Sequence, residues 1–430
     1  MTKKTRTIIF LTFLIIFLSV TPVVCLYSQG YRVDFNPPAG GKILTQTGGI
    51  YFKILPKQSD IYLDGNPPAG GKEKTDFLFG SLLIENLLPK KYKIEVKKAG
   101  FYSWEKTLEI KEKEVTEARN IVLFPANPDF KILSRGADNF WFSPDQKKII
   151  MKEEGNPPAD GGWALKLYEP LKNVKSHLIN AADFSLKDVY LLDLQFSDDS
   201  TKVFLEIGAG EQIQYFTLSF DRIPALLLKS AKPTPLLEDV IAYKKAGNDV
   251  YYLDNSGNFY KNEEGLTAEP FPVKQETEYT LEVFSGFFFL REEGNLYKFN
   301  TESKVFENFF EGLRSLKISP DSQKFVYFSD YEIWIAFLKD SFNQPQRKSG
   351  DKIFLMRLSE KIDEIFWLDS YHLAFNTGDK IKICEIDNRD GINVVDIGEF
   401  KNPDFFWAKN DKKLYILSEG DLSSSLPLLP

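Results

Sequence analysis

The chain is poor in the residues from which most catalytic sites are built. Its 430 residues include only two cysteines, Cys25 and Cys384, and two histidines, His177 and His372. One cysteine sits at the edge of an N-terminal apolar run and the other deep in the C-terminal region. An intrachain disulfide is therefore not expected, a cysteine metal cluster cannot be built, and stability has to come from packing. Two histidines leave a histidine-based triad few ways to form. His372 opens a predicted strand and reads as structural; His177, in Lys175-Ser176-His177-Leu178, reads as a surface residue. No Walker loop, Gly-x-Ser-x-Gly elbow or His-Glu-x-x-His helix is present. Surplus positive charge is also missing, the formal net charge being -7, which weighs against a nucleic-acid partner because neutralising phosphates takes clustered Lys and Arg. No catalytic, cofactor-binding or metal-binding residue is assigned, and no cofactor is expected.

What is abundant is aromatic and β-branched sequence. Phe (37) and Tyr (19) far outnumber Met (3), and they recur in short runs separated by Gly, Asn, Asp and Pro. That pattern favours strands over long helices, so the chain reads as mainly β. Its length allows two or three domains with well-buried cores.

Lys3, Lys4 and Arg6 precede an apolar run from Ile8 to Tyr27 that is long enough to cross a hydrocarbon core of roughly 30 Å as a helix. With the basic flank inside, the bulk of the chain is extracytoplasmic. Three readings compete: an uncleaved single-pass anchor, a cleaved signal peptide and a lipoprotein signal ending at Cys25. Val23 and Val24 precede that cysteine where lipoprotein processing wants a small residue, and an Ala-x-Ala site is missing. The uncleaved anchor in the cell membrane, residues 1–30, is the expectation, followed by a tether over 31–46.

The stretch Leu88 to Phe101 alternates Tyr92, Ile94 and Val96 with Lys91, Lys93, Glu95 and Lys97, a half-buried strand with one wet face. The basic cluster Lys90 to Lys98 thus reads as a solvated strand face. Pro89 and the Lys90-Lys91 pair mark the turn before it and Gly100 the bend after it. With the opening strand Gly49 to Leu55, the strand and turn Asp60-Ile61-Tyr62-Leu63-Asp64-Gly65, and closing strands at Lys106 to Lys111 and Asn120 to Phe124, residues 47–125 resemble a PEGA domain. The resemblance implies a small Ig-like β-sandwich at a cell surface that binds or spaces and carries no catalytic residues. A seven-residue phrase, Asn36 to Lys42, recurs as Asn66 to Lys72 and, nearly, as Asn156 to Gly162. Two prolines followed by glycines cannot hold a central strand, so the copies read as exposed loop insertions.

Beyond Pro125-Ala126-Asn127-Pro128 the chain becomes repetitive. Five phrases share an apolar residue, turn residues and a strand: Phe142-Ser143-Pro144-Asp145, Phe196-Ser197-Asp198-Asp199, Ile318-Ser319-Pro320-Asp321, Trp367-Leu368-Asp369-Ser370 and Trp407-Ala408-Lys409-Asn410. Their spacing leaves room for two units without the phrase between 196 and 318, where Asp249 to Tyr260 and Phe287 to Tyr297 look like hairpins. Seven units of about 43 residues fit a four-stranded propeller blade. The Phe-Ser-Pro-Asp phrase resembles the repeat of TolB-like and WD40-type β-propellers, which implies a β-propeller of about seven blades over 130–430. Too little chain follows the last phrase for a full blade, so an early strand near Phe130 to Leu133 is expected to close the ring.

Two acidic turns, Asp254 to Asn258 and Asp387 to Gly391, invite calcium, but neither has a downstream Glu at EF-hand spacing and both read as turns. Trp141, Trp334, Trp367 and Trp407 stand at or beside the repeat phrases, which favours packing between blades over sugar stacking. The expectation is a non-enzymatic binding or scaffold protein, anchored by its N-terminal helix and displaying a propeller to an envelope protein or glycan. A propeller hydrolase acting on envelope glycans or peptides is the alternative.

Overall fold

A computed structural model of the chain describes residues 3–33, 43–68, 74–154, 162–210, 212–220, 226–230, 239–284 and 286–429. The apolar run forms a single helix, Lys3–Ser28. Its most apolar window has a mean hydropathy of 2.7 and is unburied, so the helix is long and apolar enough to cross a membrane; a signal sequence has the same features. Thr12 and Ser19 donate their hydroxyls to the carbonyls of Ile8 and Ile15, one turn back, at 2.9 and 2.8 Å. A helix in lipid satisfies its polar groups internally in this way. Beyond it a short hairpin, Tyr31–Val33 with Leu44–Gln46, occupies part of the tether.

Two three-stranded sheets follow. One holds Ser81–Leu87, Gly48–Leu55 and Val115–Val122; the other holds Asp60–Leu63, Lys91–Lys97 and Trp104–Glu109. Alternating residues of both, among them Ile50, Phe52, Ile61, Ile94, Val96 and Leu108, close on each other in one core, which makes a β-sandwich. Asp64 and Gly65 both take positive φ and turn the Asp60–Leu63 strand sharply, as Asp-Gly does in a tight hairpin. The last two strands lie at Trp104–Glu109 and Val115–Val122, displaced from the expected Lys106 to Lys111 and Asn120 to Phe124. Val115–Val122 pairs parallel to Gly48–Leu55, a long-range pairing with no local signal. Of the repeated inserts, Asn36 to Lys42 and 156–161 lie outside the described residues. In the middle copy Asn66 and Pro67 are exposed, as a loop requires, while Asn66 exchanges two backbone hydrogen bonds with Leu63 and Pro68 is buried. The phrase therefore begins inside the turn it follows.

The rest of the chain forms seven four-stranded sheets, the blades of a β-propeller. In chain order their first strands are Ala137–Phe142, Val189–Phe196, Val240–Ala246, Tyr279–Phe284, Ser315–Ile318, Ile362–Trp367 and Asp404–Ala408. Each blade is an antiparallel meander. Blade 7 has only three strands of its own, and its fourth is Phe130–Arg135, which pairs antiparallel with Asp421–Ser425. The ring is closed by chain from before its first blade.

The Ser-x-Asp phrases are first-to-second-strand turns. Ser143 donates its hydroxyl to Asp145 at 2.6 Å, Ser197 to Asp199 at 2.6 Å and Ser319 to Asp321 at 2.5 Å. Each Asp in turn accepts a backbone N–H two residues on, the local bonding for which such residues are favoured in turns. Blades 3 and 4 lack the phrase for a physical reason. Ala246 pairs with Asp249 and Phe284 with Phe287, leaving two-residue turns in which Gly247 and Gly286 supply the positive φ.

Candidate functional site

The sandwich is seated on blade 6. Strand Trp104–Glu109 buries every second residue, and the buried phase includes a lysine. The Lys106 ammonium is fully enclosed. It meets Glu385 Oε1 at 2.7 Å and donates to the carbonyls of Asp387 and Gly391 at 2.6 and 2.9 Å. Glu385 also accepts Trp104 Nε1 at 2.9 Å and Asn393 Nδ2 at 2.6 Å. The turn Asp387 to Gly391, considered for calcium, instead docks the sandwich: the Asp390 carboxylate accepts Thr107 N at 2.7 Å, and Arg389 donates to the Glu117 carbonyl at 2.9 Å. Val122 and Phe124 enter a hydrophobic cluster with blades 6 and 7.

Beside this seat lies a cleft of about 60 Å³ bounded by Arg119 and Asn120 of the sandwich, Gln323, Lys324, Phe337 and the 341–347 loop of blade 5, and Tyr371 and Glu385 to Asp387 of blade 6. Two of its cations are already engaged. Lys324 holds Asp321 at 2.8 Å and lies 4.9 Å from the Tyr371 ring centre, and Arg119 holds Glu117 at 2.8 Å. Burial works against the Asp321 carboxylate, yet Lys324, the Ser319 hydroxyl and the Gln323 amide hold it below the usual carboxylate range. Gln344 bridges the sandwich edge, accepting Glu117 N and donating to the Val115 carbonyl. The Arg347 guanidinium lines it too, donating to the Asn388 amide oxygen with no ion pair among the described residues, beside the Asn120, Gln323 and Asn343 amides and two aromatic rings. Such a lining gives hydrogen-bonding and stacking contacts to one polar group of a larger partner.

The sequence-predicted residues are dispersed. His177 is exposed on Val174–Asn180, the outer strand of blade 1. His372 is buried with its Nδ1 3.0 Å from both Asp369 oxygens and its ring edge-on to Phe124 at 5.5 Å, between the ring and the sandwich. Burial opposes charge on that imidazole, but the Asp369 carboxylate outweighs it and raises the pKa. Asp254 folds back on its own turn, accepting Ser256 N and Asn258 N at 2.9 and 2.8 Å. Among the described residues no group of three or more His, Cys, Asp or Glu side chains could hold a metal. Cys25 is exposed on the helix and Cys384 buried in blade 6, where burial pushes the thiol up. The tryptophans pack between blades: Trp367 donates to the Lys317 carbonyl of blade 5 at 2.8 Å and Trp407 to the Leu368 carbonyl of blade 6 at 3.1 Å. Trp141 and Trp334 join the clusters between blades 1 and 2 and between blades 4 and 5.

First strands of neighbouring blades carry a second set of polar groups. Lys244 pairs with Glu282 at 2.8 Å, and Lys317 with Glu364 at 2.7 Å. Burial depresses the Lys317 ammonium pKa despite Glu364. Asp404 is raised, first by burial and then by the nearby Glu364 charge. On the sandwich, Phe77, Leu78 and Phe79 form an exposed apolar tip. It is pinned by Asp76, whose carboxylate accepts the Ser81 hydroxyl and the Phe79 and Ser81 amides and is thereby lowered to about 2.

No protein-family model matches the chain, and no curated protein does. Among solved structures it is similar to the β-propeller domain of Cps50 (Swd1) from Myceliophteria thermophila (10% identity, 70% of this chain and 99% of that one, TM-score 0.36). It is also similar to YCF48 from Cyanidioschyzon merolae (10%, 69% and 98%, 0.39) and to virginiamycin B lyase from Staphylococcus aureus (12%, 70% and 100%, 0.39). Likeness at this level adds nothing to the propeller already evident from strand pairing.

Proposed function

We propose that the chain is a membrane-anchored extracytoplasmic binding protein whose sandwich, PEGA-like in its strand and turn pattern, holds a propeller away from the bilayer to recognise an envelope protein or glycan. The observation that carries this reading is the seat of the sandwich on blade 6. A buried ion pair and a ladder of backbone contacts fix the module next to the helix rigidly to the ring, as a stalk requires. The amide and aromatic cleft at that junction supplies a recognition surface without demanding a reaction.

Intact-mass measurement of membrane-extracted protein tests the anchor; a mature N-terminus after residue 20, or a lipid on Cys25, would refute it. Recognition is tested by retention of envelope glycan and peptide fractions on the immobilised full chain, with Tyr371→Ala as the control. Retention unchanged by that substitution would move the site away from the cleft. The hydrolase reading has one observation on its side, the Asp404 carboxyl raised beside Glu364; turnover of an envelope fraction abolished by Asp404→Asn would favour it.

A further inference from the structure

Arg347 stands apart from the other charged groups of the cleft between sandwich and ring. Lys324 and Arg119 each hold a carboxylate at 2.8 Å. The two carboxylates that line the cleft are taken as well, Glu385 by the enclosed Lys106 at 2.7 Å and Asp387 by Arg389 at 2.6 Å. Arg347 gives one nitrogen, Nη2, to the Asn388 amide oxygen, and its guanidinium lies 5.9 Å from the centre of the Phe337 ring. Among the described residues no carboxylate pairs with it, and none accepts a hydrogen bond from its Nη1 or Nε. A guanidinium with that edge of its fork unused has the geometry that receives a carboxylate through two parallel bonds.

The guanidinium is also held in place. Ser341 and Arg347 exchange backbone hydrogen bonds at 2.8 and 3.0 Å, which closes the blade 5 loop at its base. Within that loop the Gln344 amide is tied to the sandwich strand Val115–Val122 by two bonds, at 3.0 and 3.2 Å. Asn388 belongs to the Asp387 to Gly391 turn, which docks on the same module through Asp390 and Arg389. Loop, turn and strand come from three parts of the chain and fix the receptor before any partner arrives, so little ordering remains to be done on binding.

Charge and size select the partner. One unmatched cation beside two paired carboxylates accepts a single negative charge, whereas a dianionic phosphate would add repulsion from Glu385 and Asp387. The cleft, about 60 Å³, has room for a few water molecules. An end group enters such a space alone, as the last carboxylate of a polypeptide does; a uronate would have to bring its pyranose ring with it. The Gln323 and Asn343 amides beside the cleft match the backbone groups that precede a chain end. We infer that the cleft captures the C-terminal carboxylate of a protein or peptide partner, with Arg347 as its receptor. The inference rests on the cleft being the recognition surface and names the group recognised there.

The test uses the full chain in detergent and two hexapeptide libraries of mixed sequence tethered by their N-termini, one ending in free carboxylates and the other in carboxamides. Retention on the first is expected to exceed that on the second at least about tenfold, the scale set by charge-assisted hydrogen bonds. The chain's own net charge of -7 opposes general attraction to a carboxylate matrix, so the excess reports a site. Arg347→Gln should erase the difference, and Arg347→Lys, which keeps the charge and loses the fork, should reduce it; thermal melts check that both variants fold. Equal retention on the two libraries, a difference that survives Arg347→Gln, or retention confined to an oligouronate matrix would overturn the inference. If envelope fractions are retained through Tyr371 while the libraries do not differ, the carboxylate assignment fails and the cleft stands as the recognition surface.

Discussion

Replacing Lys106 with methionine removes the ammonium of the buried ion pair that joins the sandwich to the ring while keeping a stem of similar volume. In the native protein the ammonium has 0% of its side chain exposed and three acceptors within 2.9 Å. The substitution strands the Glu385 carboxylate, 8% exposed, with only the Trp104 and Asn393 donors, and takes the Lys106 donor from the Asp387 and Gly391 carbonyls. Removing one partner of a buried pair costs about 3–5 kcal/mol, far more than an ion pair on the surface is worth. The double variant Lys106→Met with Glu385→Leu removes the stranded charge too and should recover most of that loss, since apolar replacement of a whole buried pair is often neutral or better. Denaturant unfolding of the full chain in detergent, followed by far-UV circular dichroism, measures both. A single-variant loss below about 1 kcal/mol, or a double variant less stable than the single one, would show that the seat does not depend on this pair.

Ile94→Asp should unfold the sandwich, because it puts an unpaired carboxylate at a fully buried position at a cost of several kcal/mol; circular dichroism melts check it. Deletions in the second insert should be tolerated only if they spare Asn66 and Pro68, and melts of the Asn66 to Gly71 deletion beside a shorter one will separate the two. A fragment starting at Phe140 loses Phe130–Arg135 and should aggregate through the bared edge of blade 7, so a soluble, cooperatively melting monomer would contradict the closure. His372 is raised in the folded state, so its contribution is fully present below the unfolded value of about 6.5 and is lost as pH rises through the raised folded pKa. Unfolding free energy measured across that range should fall with pH in the native chain and stay flatter in His372→Gln.

Local chemistry made the propeller legible. Ser143 and Asp145, or Ser319 and Asp321, bond within their own turn, so the phrase announces the turn wherever it occurs. Blades 3 and 4 were visible as a gap holding two hairpin-like stretches and no phrase, because a two-residue turn through Gly247 or Gly286 leaves none. The alternation of Tyr92, Ile94 and Val96 placed the sandwich, but its closing strands slipped by several residues where parallel pairing with Gly48–Leu55 decided their bounds. Lys106 was read as part of a strand and not as its buried anchor. A lysine among alternating residues looks solvent-facing, and its partner across the interface lies nearly three hundred positions away. The Asp387 to Gly391 turn was read correctly as a turn, but the surface it docks was not foreseeable from its own residues.

The strand Phe130–Arg135 emerges from the ribosome before any blade, and its partner Asp421–Ser425 emerges only after the first six blades are made. At roughly 5–20 residues per second the intervening stretch takes on the order of 15–60 s to make. Through that interval one edge of the future ring has no mate, while the blades behind it can already form one by one. The order of manufacture thus opposes the order of closure, and the waiting strand is the point at which a neighbouring nascent copy could pair in place of the chain's own Asp421–Ser425. Slowing translation within the last blade should therefore lower the yield of monomer more than the same delay within the first.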